Sequence, residues 1–252
     1  MTENSAVLTE TRGRVLLITL NRPEAMNAIN TDLAQGLLAA VEELDSNDGL
    51  TAGVLTGNGR GFCSGMDLKA FAAGGPPKGF DQFLEIGSKK PLIAAIEGFA
   101  LAGGLEVALT CDLLVAAKDA KIGIREVKVG LFAAGGALLR LPRRLPYSVA
   151  MEMALTGQPI TSDEAKNYGL VSRVTDNGGT IDAALELAEQ IAENAPLAVA
   201  ASKALIQAQQ GITEEEFWEL QKPHMVKVFT SNDAKEGPAS FAEKRSPNWS
   251  GT

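Results

Sequence analysis

Glu106 sits among Leu105, Val107, Ala108 and Leu109, a setting in which a carboxylate is costly unless it is paired or put to use. Glu126 follows the strand-like Ile122-Gly123-Ile124 and precedes a turn near Gly130, where it could be a solvent-facing charge or a partner to Glu106. In one dry pocket the two carboxylates would shift each other's proton affinity, leaving one acid and one base near neutral pH. Two glycine-rich segments, Gly61–Leu68 and Gly98–Glu106, follow expected strands. Glycine permits close backbone approach, and a helix starting at Gly103 would present unpaired N–H donors with a favourable dipole. Donors from two such turns, brought together, make an oxyanion hole; taken singly, each segment reads better as a tight turn that lets helices pack.

Other chemistries have less support. One histidine and two cysteines cannot close a zinc site without an unusual carboxylate set, so no metal centre is expected. Ser64, in Gly61-Phe62-Cys63-Ser64-Gly65, is one position out of register with a G-x-S-x-G elbow, and His224 lies far away on a helical pattern, as a surface or interface residue would. Gly57-Asn58-Gly59-Arg60-Gly61 completes neither a dinucleotide loop nor a phosphate loop with its lysine.

Strands must end at these glycine-rich turns if the turns are to share a site. Val15–Leu20, Val54–Thr56, Pro91–Ile96 and Leu113–Ala116 read as strands, short and apolar, the first closed by Asn21-Arg22-Pro23. Leu33, Leu37, Val41 and Leu44 recur at helical spacing from Thr31 to about Asp45, and helices are expected around Phe80–Ile86 and over Ala102–Leu109. Alternating strands and helices predict a parallel-rich α/β core. Gly57–Gly65 reads as a glycine-rich turn, and the stretch after it through Gly74-Gly75-Pro76-Pro77 as an irregular surface segment. Beyond Gly135 helices dominate: Ala137–Leu141, Ser148–Thr156, a segment capped by Thr161 and Glu164, Ile181–Asn194, Leu197–Gln209, and a last long helix capped by Thr213 and Glu216. No internal repeat is visible. A soft boundary near Thr175–Gly179 divides a β-rich body, residues 1–178, from a helical assembly region, residues 179–252.

With 252 residues and 45% hydrophobic content the chain can bury a sizeable core unaided. Only Cys63 and Cys111 are present and nothing before Arg14 reads as a signal peptide, so a reducing, cytoplasmic setting is expected. The longest apolar runs are too short to span a bilayer. A net charge of −8 argues against nucleic acid as a partner. Arg140, Arg143, Arg144, Lys235, Lys244 and Arg245 could form a patch for a small anion, or be ordinary solvated charge.

From about Val7 to Asn248 the chain resembles the enoyl-CoA hydratase/isomerase, or crotonase, family of acyl-CoA metabolism, which includes fatty acid metabolism. The resemblance is carried in order by Asn21-Arg22-Pro23-x-x-x-Asn27-Ala28, Phe62–Leu68, Pro91–Gly98, Ala102-Gly103-Gly104-Leu105-Glu106, Asp112, Leu155-Thr156-Gly157, Ala165-x-x-x-Gly169-Leu170-Val171 and Phe241–Arg245. It implies a crotonase-like spiral of ββα units with a helical C-terminal trimerisation region, assembled as a homotrimer or hexamer. By position, the main-chain N–H groups of Met66 and Gly103 would hold the thioester oxygen, and Glu106 and Glu126 would be the acid–base pair. Ala25, Ala28, Ser64, Asp67 and Leu68 would line the coenzyme A groove, and Phe241 and Lys244 would reach coenzyme A on a neighbouring subunit. The implied activity is hydration of a 2-enoyl-CoA thioester, with no cofactor beyond coenzyme A itself.

The resemblance is uneven after Glu126. Gly130-Leu131-Phe132-Ala133-Ala134-Gly135-Gly136 lacks the family's usual proline and is one residue shorter, and Arg125 stands where a small residue or proline often precedes the glutamate. A branched, cyclic or carnitine-like acyl group therefore stays open, as does double-bond isomerisation, although isomerases often keep only one of the two glutamates. An RNA-binding or non-catalytic member of the fold is disfavoured by the acidic charge and by the presence of both carboxylates.

Overall fold

The run Val15–Leu20 divides its side chains between two cores, and that division organises the molecule. In a computed structural model the described residues are 5–252; residues 1–4, part of the segment read above for a leader, lie outside them. Strand β1 (Val7–Arg12) pairs antiparallel with β2 (Val15–Leu20), and helix α1 (Thr31–Ser46) leads to β3 (Ala52–Gly57). Then come α2 (Leu68–Gly74), α3 (Phe80–Ile86), β4 (Leu92–Ile96), β5 (Phe99–Leu101), α4 (Gly103–Thr110), β6 (Leu113–Ala117) and β7 (Lys121–Gly123). The rest is α5 (Ala137–Arg144), α6 (Tyr147–Thr156), β8 (Ile160–Thr161), α7 (Ser162–Asn167), β9 (Arg173–Thr175), α8 (Thr180–Ala192), α9 (Pro196–Ala208), α10 (Glu214–Phe229) and α11 (Asp233–Glu243).

The large sheet runs β1-β2-β3-β4-β6-β9, parallel from β2 onward. Leu16, Ile18 and Leu20 face one core with Leu55, Leu92, Ala94 and Ile96, beneath Leu33, Leu37, Val41 and Leu44 of α1. Val15 and Leu17 face the other, where Val54, Ile93, Ala95 and Val115 meet Ala184, Leu185 and Ala188 of α8. Covering on both faces explains why the central strands read as continuous apolar runs. Each such Leu or Ile, fully buried, contributes about 1.5–3 kcal/mol.

A smaller sheet, β5-β7-β8, stands beyond the strand ends of the large one. Twice the chain leaves the large sheet and adds a strand to the small one: β4–β5, from which α4 leads back to β6, then β6–β7, from which the 3₁₀ turn Glu126–Val129, α5, α6, β8 and α7 lead back to β9. After β3 it makes the same excursion with a single bridge, Cys63 to Ala100 of β5. The recurrence is a spiral of ββα units, present in the backbone although no repeat is visible in the sequence.

Several elements differ from the sequence reading, among them the short strands β5, β8 and β9, which were not expected. Leu68–Gly74 is a helix, because Asp67 accepts the N–H of Ala70 at 3.1 Å and caps it, where the glycines read as irregular surface. β1 was not expected, and most of its side chains are half-buried or exposed. A further helix, α11, follows the segment read as the last long one. At the C-terminal side α9 is pinned to the body by Lys203, whose ammonium lies 2.6 Å from Asp112 and donates to the Lys90 carbonyl at 2.8 Å. Asp112 also accepts the N–H of Leu92 at 2.8 Å, so a single carboxylate ties α9 to the start of β4.

Candidate active site

The loop after β2 and the loop after β3 are sewn together by Asn27. Its side chain accepts the Arg22 N–H at 2.9 Å and donates to the carbonyls of Asn58 at 2.9 Å and Gly61 at 3.0 Å, all in a fully buried position. Met26 and Asn27 both have φ of 54°, a left-handed pair that returns the chain toward the second loop. Arg22 also donates to the Ala28 carbonyl and forms an ion pair with Asp67 at 3.2 Å, which together with the cap on α2 holds the Asp67 carboxyl below its ordinary value. Ala25 and Ala28 are thereby set on the same rim as Ser64, Asp67 and the exposed Leu68.

Within this rim the backbone brackets Met66. Ile29 N–H donates to Gly65 O at 2.8 Å and Asp67 N–H to Ile29 O at 2.9 Å, leaving the Met66 N–H between them. Helix α4 abuts the same loop: a Cβ on Gly104 would lie 2.3 Å from Cys63 O, one on Gly65 3.3 Å from Gly103 N, and one on Gly103 3.6 Å from Met66 N. The residue that starts α4, Ala102, has φ 51° and ψ −129°, a conformation that costs a residue with a Cβ on the order of 1–3 kcal/mol. Its own N–H donates to Gly123 O at 2.8 Å, and the next donor is Gly103, the first helical residue. Among the described residues neither the Met66 N–H nor the Gly103 N–H has a hydrogen-bond partner. The sequence reading placed these donors on separate glycine-rich turns, and the fold brings the turns into contact.

Glu106 lies one turn into α4, only 4% exposed, with Oε1 accepting the Ala137 N–H at 3.2 Å. A Cβ on Gly135 would stand 2.5 Å from Oε2, so glycine is required there for the loop to close over the carboxylate. Burial pushes its pKa up to about 7; the charge of Glu126 adds to the rise, while the N–H groups of Ala137 and Gly135 and the Arg140 guanidinium oppose it. Glu126 opens the 3₁₀ turn Glu126–Val129, half-buried, and its Oε2 has no partner among the described residues. Burial raises its proton affinity too, against the pull of the Glu126 and Arg125 N–H groups. The two carboxylates are thus electrostatic neighbours, one held by backbone donors and one with an oxygen uncommitted.

Arg140 and Arg144 are neither an anion patch nor solvated charge. Arg140 donates to Gly135 O at 3.2 Å and to Leu84 O, and Arg144 to Cys111 O at 3.1 Å. Arg245 is likewise engaged, by Glu236 and Glu243. Sequence reasoning gave no positioning role to Asn27 or Ala102 and read Arg140 only as anion patch or solvated charge, since each acts on backbone groups of other segments; the available signal was an arginine four residues beyond Gly136, inside an apolar helix start. Phe241, at the end of α11, is 87% exposed, and Lys244 caps that helix in a left-handed conformation with φ 55°. Neither is joined to the rim by a hydrogen bond or ion pair among the described residues. Nor do any three of His, Cys, Asp and Glu converge there as metal ligands would.

The spiral of ββα units and its loop cluster are those of one family: the model described as Enoyl-CoA hydratase/isomerase matches residues 10–252, and the chain belongs to that family. Among curated relatives, Enoyl-CoA hydratase EchA19 of Mycobacterium tuberculosis is 42% identical over 254 residues, spanning 96% of this chain and 95% of that protein. Carnitinyl-CoA dehydratase of Proteus mirabilis is 40% identical over 253 residues, spanning 96% and 97%. The crystal structure of an enoyl-CoA hydratase from Mycobacterium tuberculosis H37Rv superposes with a TM-score of 0.95 at 50% identity, covering 99% of this chain and 100% of that one. The crotonase-type fold expected from the motifs is the fold observed.

Proposed function

We propose that this protein is an enoyl-CoA hydratase that adds water reversibly, in syn fashion, across the double bond of a 2-enoyl-CoA thioester. The observation that carries the reading is the juxtaposition of two unpartnered N–H groups, Met66 and Gly103, with a buried carboxylate one helical turn away. In this reading Glu106 accepts a proton from water as its oxygen attacks the β carbon, and charge collects on the thioester oxygen between the two donors. Glu126 then delivers a proton to the α carbon, and proton exchange resets the pair. The raised proton affinities support the involvement of both groups, because burial moves each carboxylate upward from its ordinary value, toward the range in which it can exchange a proton near neutrality. Losing one donor of an oxyanion hole costs about 3–4 kcal/mol, so the backbone pair is expected to outweigh any single side-chain contact.

Ala25, Ala28, Ser64, Asp67 and Leu68 form the rim on which this reading seats coenzyme A, which enters as part of the substrate. Hydration is redox-neutral and calls for no further cofactor. Residues 179–252 are taken as the assembly region of a homotrimer or hexamer, in which Phe241 and Lys244 reach the coenzyme A of a neighbour. Exposed Phe229, Ile206 and Phe241 support this, being large apolar side chains left uncovered on the C-terminal helices. The two cysteines are free and buried, which supports a cytoplasmic setting. Among the described residues no helix is long and apolar enough to cross a membrane.

Run in reverse, the same groups would dehydrate a 3-hydroxyacyl-CoA, the kind of reaction named for the Proteus relative. A panel of straight, branched, cyclic and trimethylammonium-bearing thioesters, followed by the conjugated-thioester absorbance, tests the proposal. Hydration of at least one enoyl-CoA is expected; no absorbance change with any of them would reject it.

A further inference from the structure

Arg140 carries a half-buried charge with Arg143 and Arg144 of its own sign on the same helix, Glu106 of opposite sign facing it, and no ion pair among the described residues. Its compensation is a fork: Nη1 donates to Gly135 O at 3.2 Å and Nη2 to Leu84 O at the end of α3. Gly136 has φ of +100°, and a Cβ there would lie 2.5 Å from Nη1, so the guanidinium fills the space a side chain would take. The fork therefore closes residues 135–137 onto α3, and these are the residues that meet Glu106: Ala137 donates to Oε1 at 3.2 Å and Gly135 packs on Oε2. The charged groups facing Glu106 are Glu126, which opposes its ionisation, and Arg140, which favours it.

We propose that Arg140 is a positioning residue for the hydration, clamping residues 135–137 onto Glu106 through its forked guanidinium. The inference rests on the reading of Glu106 as the base. A planar fork reaches two carbonyls with fixed geometry, which a lysine ammonium does not reproduce although it keeps the charge. A merely structural arginine would change stability and leave the titration of Glu106 where it was.

The test compares kcat and KM across pH for wild type, R140Q, R140K and E106Q on one enoyl-CoA substrate. R140Q is expected to lower kcat at least about tenfold with little change in KM, and to move the acidic limb of the kcat profile upward by about half a pH unit or more. R140K is expected to lower kcat about threefold or more while leaving the limb in place. Wild-type kcat in R140Q, or a lowered kcat with the limb unmoved, overturns the proposal. If R140Q fails to fold by circular dichroism, R140K decides: wild-type kcat there rejects the fork, and a lowered kcat with the limb in place supports it. Full turnover by E106Q rejects the reading of the base itself; inactive E106Q beside unchanged R140Q rejects Arg140 alone.

Discussion

The donor side of the site and the proton-delivery side are built differently. Around Met66 and Gly103 nearly every backbone and side-chain polar group is committed: Asn27 makes three hydrogen bonds, Arg22 pairs with Asp67, and Ile29 brackets Met66 from both sides. Strain at Ala102 is held in place by that framework and by its bond to Gly123. Around Glu126 the chain is a short 3₁₀ turn, the carboxylate has an oxygen without a partner among the described residues, and Val127, Val129, Leu131 and Phe132 are exposed. Donors that must meet developing charge work best when they need no reorganisation, whereas a loop that touches the acyl group can vary with it. In the proposed function, the electrostatic part of the site is fixed in this chain and the loop after Glu126 is the part left free to vary.

The contrast is broken most strongly by Glu126→Gln. It keeps the shape and removes the transferable proton, so kcat is expected to fall about 10²–10⁴-fold while coenzyme A binding, followed by calorimetry, is unchanged. Asn27→Ala strikes the committed side. It leaves two carbonyls and one N–H without partners and puts alanine at a φ of 54°, for an expected loss of about 3 kcal/mol in urea unfolding.

Glu106 supplies a pH-dependent test. Its folded pKa is raised to about 7 from the ordinary carboxylate value of 4.5, so the native state binds the proton more tightly than the unfolded chain. Stability from this group is full below pH 4.5 and is lost as pH rises through about 7. Glu106→Gln is therefore expected to match wild type in stability near pH 4.5 and to exceed it above pH 7 by up to about 3 kcal/mol, as read by denaturant titration at each pH. The smallest effect is expected at the exposed Phe132. Phe132→Ala should change stability by less than about 0.5 kcal/mol, yet alter the ranking of acyl chains in the thioester panel.

The fold was legible where burial imposes a period. Thr31–Ser46 shows its core face in the spacing of its apolar residues, whereas Val15–Leu20, covered on both sides, shows as an unbroken apolar run that marks a buried strand without telling its two faces apart. α2 was hidden because its stop is glycine and its start depends on a side-chain cap, and α11 because Gly237 and Pro238 interrupt its pattern. β1 places only Val7 fully in the core, too little for a period to show. Among site residues, Glu106 was visible as a charge in an apolar run, whereas the worth of Asn27 and Arg140 lies in carbonyls contributed by distant segments. The same limit applies to the donors: composition marks glycine-rich turns, and only the fold decides which turns touch.

Isotope-edited Raman difference spectroscopy of a bound enoyl-CoA, labelled at the thioester carbonyl, tests the central claim most directly, with Gly103→Pro as the comparison. Proline at the first position of a helix removes the N–H as a donor and places its ring carbon where that hydrogen stood, so a folded variant is required for the comparison. In wild type the carbonyl stretch should fall to lower frequency on binding, and in Gly103→Pro most of that fall should disappear together with about 10²–10³-fold of kcat. An unshifted carbonyl in wild type, or an equal shift in the folded proline variant, would contradict the convergence of the Met66 and Gly103 amides on the acyl oxygen.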